Sequence, residues 1–378
     1  MFSVIKRKFV LAAEKNAVKK AVANVIESNI SGSVFGRQCV KKLEILLSDK
    51  LGASVLGVGG GTDALVLVLK ALGVGPGDEV IVPAFGCVAI ASCVSWVGAT
   101  PIFSDIRKND FVLDPGGIAE KITPRTKAVI FAHFFGQPAK SIKDALSVTR
   151  TQGLFLIEDA AQVFGATSEI DGVWKSAGII GDAGCFSFSS TKLFSVPGSA
   201  GAVVVNDARV KEKVDQMRLY GAKSPYYDHP VVGIGAGLDE IHAAILIAKL
   251  PFLDYWLERR RELAYIYTKT LSGVGDLILP REEEGTTRIW YRYVIRTKRR
   301  DALLKYLQTI FKSTPRLVPF VRYPVPLSCF SAFGSRHAKG DFPNADDISS
   351  EVLCLPMYNA MSLEDLDKEC GSIKDFFN

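Results

Sequence analysis

The chain has 378 residues, 48% of them hydrophobic, and a formal net charge of +6, so it holds enough apolar material for a sizeable core and more than one domain. Its basic residues are spread out apart from ERRRE (258–262) and RTKRR (296–300), with no aromatic-interleaved basic surface, so no nucleic-acid partner is expected. Seven scattered cysteines without a CxxC pair read as reduced cytoplasmic thiols, not as a disulfide framework or a zinc site.

The opening MFSVIKRKFVLAAEKN has a short apolar run interrupted by charge, so a helical segment is expected there and not a secretion signal. No run of 18 apolar residues offers a membrane span. From about residue 50 strands and helices alternate: strand ASVLGV (53–58), helix DALVLVLKAL (63–72), strand EVIVPA (79–84), helix VAIASCVSWV (88–97), strands TPIFSD (100–105) and KAVIFA (127–132), helix SIKDALSVTRTQ (141–152), then strands LFLIED (154–159), GCFSFS (184–189) and GAVVVN (201–206). Continuous Val/Ile/Phe runs mark strands buried on both faces. This order predicts an α/β domain over residues 1–255, with a mainly parallel sheet sandwiched by helices. A helical pattern from 239 to 271 should break or kink at Pro251. Residues 256–378, with IWYRYVIRTK as a strand, read as a smaller α+β domain.

Three stretches carry candidate chemistry. In GVGGGTDALVLVLKALG (57–73) glycines lie between a strand and a helix. Backbone amides there can close on an anion, and the helix start adds roughly half a positive charge. A phosphate would sit near Gly61 and Thr62; the alternative is an ordinary turn with Thr62 or Asp63 as a cap. Thr62 breaks the GxGxxG fingerprint, which weakens a nicotinamide oxidoreductase reading, and no GK[ST] follows. In LFLIEDAAQ (154–162) a strand ends at Glu158–Asp159, where open α/β sheets gather ligands. Asp159 is thus a carboxylate at a crevice rim, or a cap or ion-pair partner. In CFSFSSTKLFSVPGSAGAVVV (185–205) the single charge is Lys192. An ammonium among apolar neighbours must pair, snorkel or react. Phosphate turn, strand-end carboxylate and lysine together fit pyridoxal 5′-phosphate: the lysine forms a Schiff base with its aldehyde, and the carboxylate keeps the pyridine nitrogen protonated. His133 ends a strand and reads as a structural hydrogen-bonding group. His229, His242 and His337 have no ligand-spaced partners, so no metal site is expected. Asp182, in GDAG (181–184), reads as making the turn into the lysine-bearing strand.

The motifs GGGTDAL, GVGPGDEVIVPAF, LIEDAAQ, GDAGCFSFSSTK, GAVVVND, LDEIHAAIL and RYPVPL, with others from SGSVFGRQCVKKLE (31–44) to VLCLPMY (352–358), resemble the fold-type-I, pyridoxal-phosphate-dependent sugar aminotransferases of the DegT/StrS group. The resemblance implies that Lys192 is the Schiff-base lysine, Asp159 the partner of the pyridine nitrogen and Gln162 a contact of the ring hydroxyl. It implies Gly61, Thr62 and Ser187 as phosphate contacts, and a homodimer with shared active sites. The implied reaction moves an amine from L-glutamate, through pyridoxamine 5′-phosphate, to the 3- or 4-keto group of a nucleotide-diphosphate deoxysugar. Four positions depart from the family pattern. Cys87 stands where an aromatic ring usually stacks on the cofactor; Gly235 and Gly237 replace the asparagine and arginine of Gly-Tyr-Asn-x-Arg; Arg322 replaces a histidine. Arg322 would meet the substrate diphosphate or form a structural ion pair. Cys87 and the two glycines favour an alternative, a cofactor-bound regulatory protein without turnover. Sugar dehydratases of this group carry histidine in place of the lysine, and Lys192 argues against that chemistry.

Overall fold

In a computed structural model of the chain, residues 4–30, 37–223, 228–334 and 338–378 are described. His337 and part of the 31–44 motif lie outside them. Each apolar run of the sequence forms its strand: β1 (Val55–Val58), β2 (Glu79–Pro83), β3 (Thr100–Ser104), β4 (Thr126–Ala132) and β5 (Phe155–Asp159). A hairpin, β6 (Thr167–Ile170) with β7 (Val173–Ser176), precedes β8 (Ala183–Ser187) and β9 (Gly201–Val205). Seven of these make one sheet in the order β1-β9-β8-β5-β4-β2-β3. The β8-β5-β4-β2-β3 pairs are parallel; β9 runs antiparallel to both β8 and β1. Every residue of β1, β2 and β9 is buried, as continuous apolar runs require.

The helices α1 (Val4–Ile30), α2 (Gln38–Leu51), α3 (Gly61–Ala71), α4 (Val88–Trp96), α5 (Pro115–Lys121), α6 (Ile142–Thr151), α7 (Ala208–Met217) and α8 (Glu240–Lys249) connect and cover these strands. Pro251 cannot donate a backbone hydrogen bond, and the helical pattern breaks there into a 3-10 turn before α9 (Leu253–Leu271). Residue 255 lies inside α9. A third apolar core starts further along that helix, at Leu263, and gathers Tyr267, Tyr293, Leu303, Leu353 and Ile373. It is built by β11 (Tyr293–Arg296) paired with β12 (Val352–Leu355) and by α10 (Arg300–Ile310) and α12 (Leu363–Phe377), with α11 (Pro343–Glu351) between them and the short β10 (Thr286–Thr287) joining β6. No described helix is long and apolar enough to cross a membrane.

The run IWYRYVIRTK is strand only over Tyr293–Arg296. Upstream of it Trp290 adopts φ +51, which ends the extended path and lays the segment across the end of the large sheet. Ile289 N donates to Gly136 O at 2.9 Å. Gly136 has φ +89, and a Cβ there would lie 2.4 Å from Tyr291 N. Gly136→Ala is therefore expected to lower stability by about 2 kcal/mol and to displace Tyr291. Urea unfolding and cofactor affinity measure the two effects separately.

Candidate active site

The carboxyl ends of β4, β5 and β8 lie side by side, pairing Asp159 with Ala132 and with Cys185. Asp159 is half-buried, and its Oδ1 accepts from Ala161 N at 3.0 Å. No other described group donates to it. Burial pushes its carboxyl above the usual range, with Lys192 and His133 acting against that shift. Lys192 lies five residues beyond β8, in the turn leading to β9, with its backbone N–H on Ser189 O at 2.8 Å. Its ammonium is half-buried and stands 5.4 Å from the centre of the Tyr291 ring. The lone charge of the 185–205 stretch therefore faces both a carboxylate and an aromatic ring.

Gly61 and Ser187, 126 positions apart in the numbering, touch: a Cβ on Gly61 would lie 2.8 Å from Ser187 Cβ and 3.3 Å from its Oγ. Gly60 occupies the cap position of α3, and no side chain caps that helix. The capping roles considered for Thr62 and Asp63 are absent, and Thr62 is exposed. The first amides of an eleven-residue helix are thus left to an anion beside the Ser187 hydroxyl. Gln162 is held by its own carboxamide: Oε1 accepts from Phe135 N at 2.9 Å, and Nε2 donates to the Tyr323 hydroxyl at 3.3 Å. Cys87 is half-buried at the start of α4 and close enough to Tyr323 to raise the pKa of its phenol, though burial is the larger cause. One cleft is lined by Gln162, Ser187, Lys192 and Tyr291. Another cleft, about 700 Å³, opens at the other end of the sheet near Arg150 and Lys175 and holds none of these residues.

His133 is structural. Its Nδ1 accepts from Ala139 N at 3.3 Å and its Nε2 meets Glu158 Oε2 at 3.1 Å. Glu158 is fully buried and also accepts from Gly178 N, Ile180 N and Gly181 N at 2.6–2.7 Å. Asp182 Oδ2 accepts from Leu156 N at 2.7 Å, joining the start of β8 to β5. Among the described residues no three His, Cys, Asp or Glu side chains are grouped to hold a metal.

Gly235 and Gly237 acquire a physical account. A Cβ at 235 would lie 2.4 Å from the Tyr220 hydroxyl, and one at 237 would lie 3.6 Å from Arg37 Nη2. The Tyr220 phenol fills the place where a side chain at 235 would begin, whereas at 237 a Cβ would meet Leu219 Cδ2 at 3.3 Å and only border the Arg37 guanidinium. The segment runs against the glycine turn, with Gly59 N on Ala236 O at 2.8 Å.

Arg322 is half-buried, its guanidinium 5.4 Å from the centre of the Phe320 ring. It forms no ion pair with a described carboxylate. Sequence reasoning missed Tyr291, Arg292 and Tyr323, which border Lys192 and Gln162. Their signal was the aromatic–cation alternation of WYRY and the tyrosine beside Arg322, both of which read equally well as strand residues.

The uncapped α3 start, the free carboxylate edge of Asp159 and the amine of Lys192 form a donor set suited to a phosphorylated pyridine aldehyde. The chain matches the DegT/DnrJ/EryC1/StrS aminotransferase family over residues 13–374. It is 36% identical over 372 residues to a pleiotropic regulatory protein of Geobacillus stearothermophilus, covering 97% of each chain. It is 37% identical over 311 residues to a UDP-N-acetyl-3-dehydro-alpha-D-glucosamine 3-aminotransferase of Acidithiobacillus ferrooxidans, covering 82% of this chain and 81% of that protein. The solved structure of DesV from S. venezuelae superposes with a TM-score of 0.90 at 31% identity, covering 98% of this chain and 97% of that one. NtdA from Bacillus subtilis, solved with bound pyridoxamine phosphate, gives 0.86 at 26% identity, covering 96% and 82%. The fold is that of the fold-type-I pyridoxal-phosphate enzymes, and with the family match spanning nearly its whole length, the chain belongs to the DegT/DnrJ/EryC1/StrS aminotransferases and uses pyridoxal 5′-phosphate.

Proposed function

We propose that this protein transfers the amino group of L-glutamate to the 3- or 4-keto group of a nucleotide-diphosphate deoxysugar. The observation carrying this reading is the single cleft lined by Gln162, Ser187, Lys192 and Tyr291, with Ser187 against Gly61 at the uncapped start of α3. When bound, pyridoxal 5′-phosphate supplies an aldehyde for amines to condense with and an electron-accepting ring. Gly61 and Thr62 amides, with the Ser187 hydroxyl, bind the phosphate. Asp159, desolvated and facing a cation, holds the proton on the pyridine nitrogen, and Gln162 orients the ring through its hydroxyl. Lys192 Nζ takes the proton from the donor Cα and returns it to complete the transfer. Cys87 covers the ring with a polarizable sulfur in place of an aromatic face. Arg322 supplies positive charge to the substrate side. We further propose a cytoplasmic homodimer with the site at the subunit boundary, and a large and a small domain divided near residue 255.

The name of the Geobacillus stearothermophilus relative, a pleiotropic regulatory protein, supports a second reading, a regulatory protein that binds the cofactor without turnover. One assay separates the two. The holoenzyme incubated with L-glutamate is expected to release 2-oxoglutarate in proportion to the pyridoxamine 5′-phosphate formed, and then to aminate one of a panel of nucleotide-linked 3-keto and 4-keto sugars. No conversion with any amino acid would leave the regulatory reading. Conversion by glutamate with no sugar aminated would overturn the acceptor class alone.

A further inference from the structure

The cleft at the far end of the sheet takes no part in the chemistry assigned to Lys192. Its volume of about 700 Å³ falls in the range of pockets that enclose a small ligand. The amino ends of β5 and β8 and the carboxyl end of β9 form its floor, and the ends of α3 and α6 and the start of α7 border it. β5 begins there at Phe155 and finishes at Asp159, about 13 Å further along an extended chain. The cleft and the Lys192 site are therefore separate.

Four cations converge on this recess from three elements. Arg150 comes from the last turn of α6, Lys175 from β7, and Arg209 and Lys213 from α7. Arg209 and Lys213 stand four positions apart on one helix, a spacing at which like charges repel. Two carboxylates share the lining, and the backbone engages both. Asp182 Oδ2 accepts from Leu156 N at 2.7 Å, and Asp207 Oδ1 accepts from Arg209 N and Val210 N at 2.8 and 3.0 Å. Arg209 Nη2 lies 3.9 Å from Asp207 Oδ2, at the limit of an ion pair. Arg150, Lys175 and Lys213 form no ion pair with a described carboxylate. Four cations against two carboxylates leave the lining positive, in a concave site where field lines concentrate on an incoming anion.

Between the cations the wall is apolar. Phe155 presents an exposed ring, and Leu72, Ile179 and Val210 are half-buried in the same lining. A bare phosphate would leave that ring unused, and an uncharged aromatic would leave the cations unanswered. A ligand that joins phosphates to a flat base satisfies both. We propose that this cleft is a second ligand site that binds a nucleoside diphosphate, with its phosphates toward Arg150, Lys175, Arg209 and Lys213 and its base against Phe155.

The test is calorimetric titration of the holoenzyme with uridine diphosphate, beside a variant carrying both Arg209→Ala and Lys213→Ala. Both positions are exposed on a helix, where alanine is favoured, so the variant should fold. Neither residue belongs to the cofactor site, so its conversion of L-glutamate should match that of the wild type. The wild type is expected to bind two equivalents per protomer, one at the acceptor site proposed above and one here. The double variant should weaken one of these two events at least about tenfold. Phe155→Ala should weaken the same event about tenfold and leave binding of inorganic tripolyphosphate in place, with circular dichroism checking its fold. No binding, a single equivalent that survives in the double variant, or two equivalents that both survive would overturn the proposal. Uridine diphosphate binding indifferent to Phe155→Ala would mark a bare phosphate site and overturn the nucleotide assignment. A single equivalent that the double variant loses would uphold this site and remove the nucleotide-linked acceptor instead.

Discussion

Lys192→Ala is expected to abolish covalent attachment of the cofactor and to slow conversion of L-glutamate by at least about 10³-fold, because proton transfer by a positioned side chain contributes roughly 10²–10⁴-fold by itself. Two functions are lost together: the nitrogen that joins the aldehyde and the base that moves the Cα proton. The fold should tolerate the change. Lys192 is half-buried on a turn, and its side chain makes no described hydrogen bond; it stands 5.4 Å from the Tyr291 ring centre and acts on Asp159 through its charge. The variant should therefore unfold at the urea concentration of the wild type while losing the absorbance of the lysine-bound cofactor. Retention of that absorbance would move the attachment point elsewhere. Added methylamine is expected to restore part of the rate, since an external amine can replace the missing base.

The second large effect is on stability. Glu158 is wholly buried and holds four donors: the amides of Gly178, Ile180 and Gly181 and the His133 ring. Because His133 Nδ1 accepts from Ala139 N, its Nε2 carries the hydrogen and donates to the carboxylate. In Glu158→Gln one oxygen becomes an NH₂ group and confronts donors, leaving buried N–H groups unsatisfied. The expected cost is about 2–4 kcal/mol, read as a lower urea midpoint with an unchanged slope. The loop it ties down, 178–181, leads directly into β8 and on to Lys192. Cofactor affinity should fall with stability here, whereas Lys192→Ala separates the two.

How much was legible in the sequence depended on whether the signal was local. Buried strands announced themselves as unbroken apolar runs, and Pro251 ended its helix for a reason visible in one residue. Lys192 stood out because a single charge interrupted twenty apolar or small residues. Asp159 was marked by ending a strand. Gly61 was marked by a glycine run between strand and helix, Ser187 and Gln162 were singled out through the family resemblance, and the structure draws the three to the same end of the sheet. The rest depended on contacts between distant segments. Tyr291 and Arg292 looked like strand residues because nothing nearby in the sequence reports that Trp290 takes a positive φ and turns the segment across Gly136. Arg37 and Tyr220 became relevant only when the fold brought them against Gly237 and Gly235. The hairpin β6–β7 was missed because its exposed half, Val173–Lys175, carries no apolar alternation.

The reversal of β9 within an otherwise parallel arrangement also sets the order of events during synthesis. β1 lies at the sheet's edge, where β9 is its one strand neighbour among the described residues, Val55 opposite Val204, apart from a single bridge from Val58 to Gly237. The strand that leads into Gly61 can lean on α2, where Gly57 N donates to Glu44 Oε1 at 2.8 Å, but has no sheet strand to pair with until residues near 205 have left the ribosome. Long-range pairings of this kind form late. A nascent chain that has emerged only as far as the aspartate strand has no anion cradle, so capture of the cofactor belongs to the closing stage of folding and cannot guide its beginning.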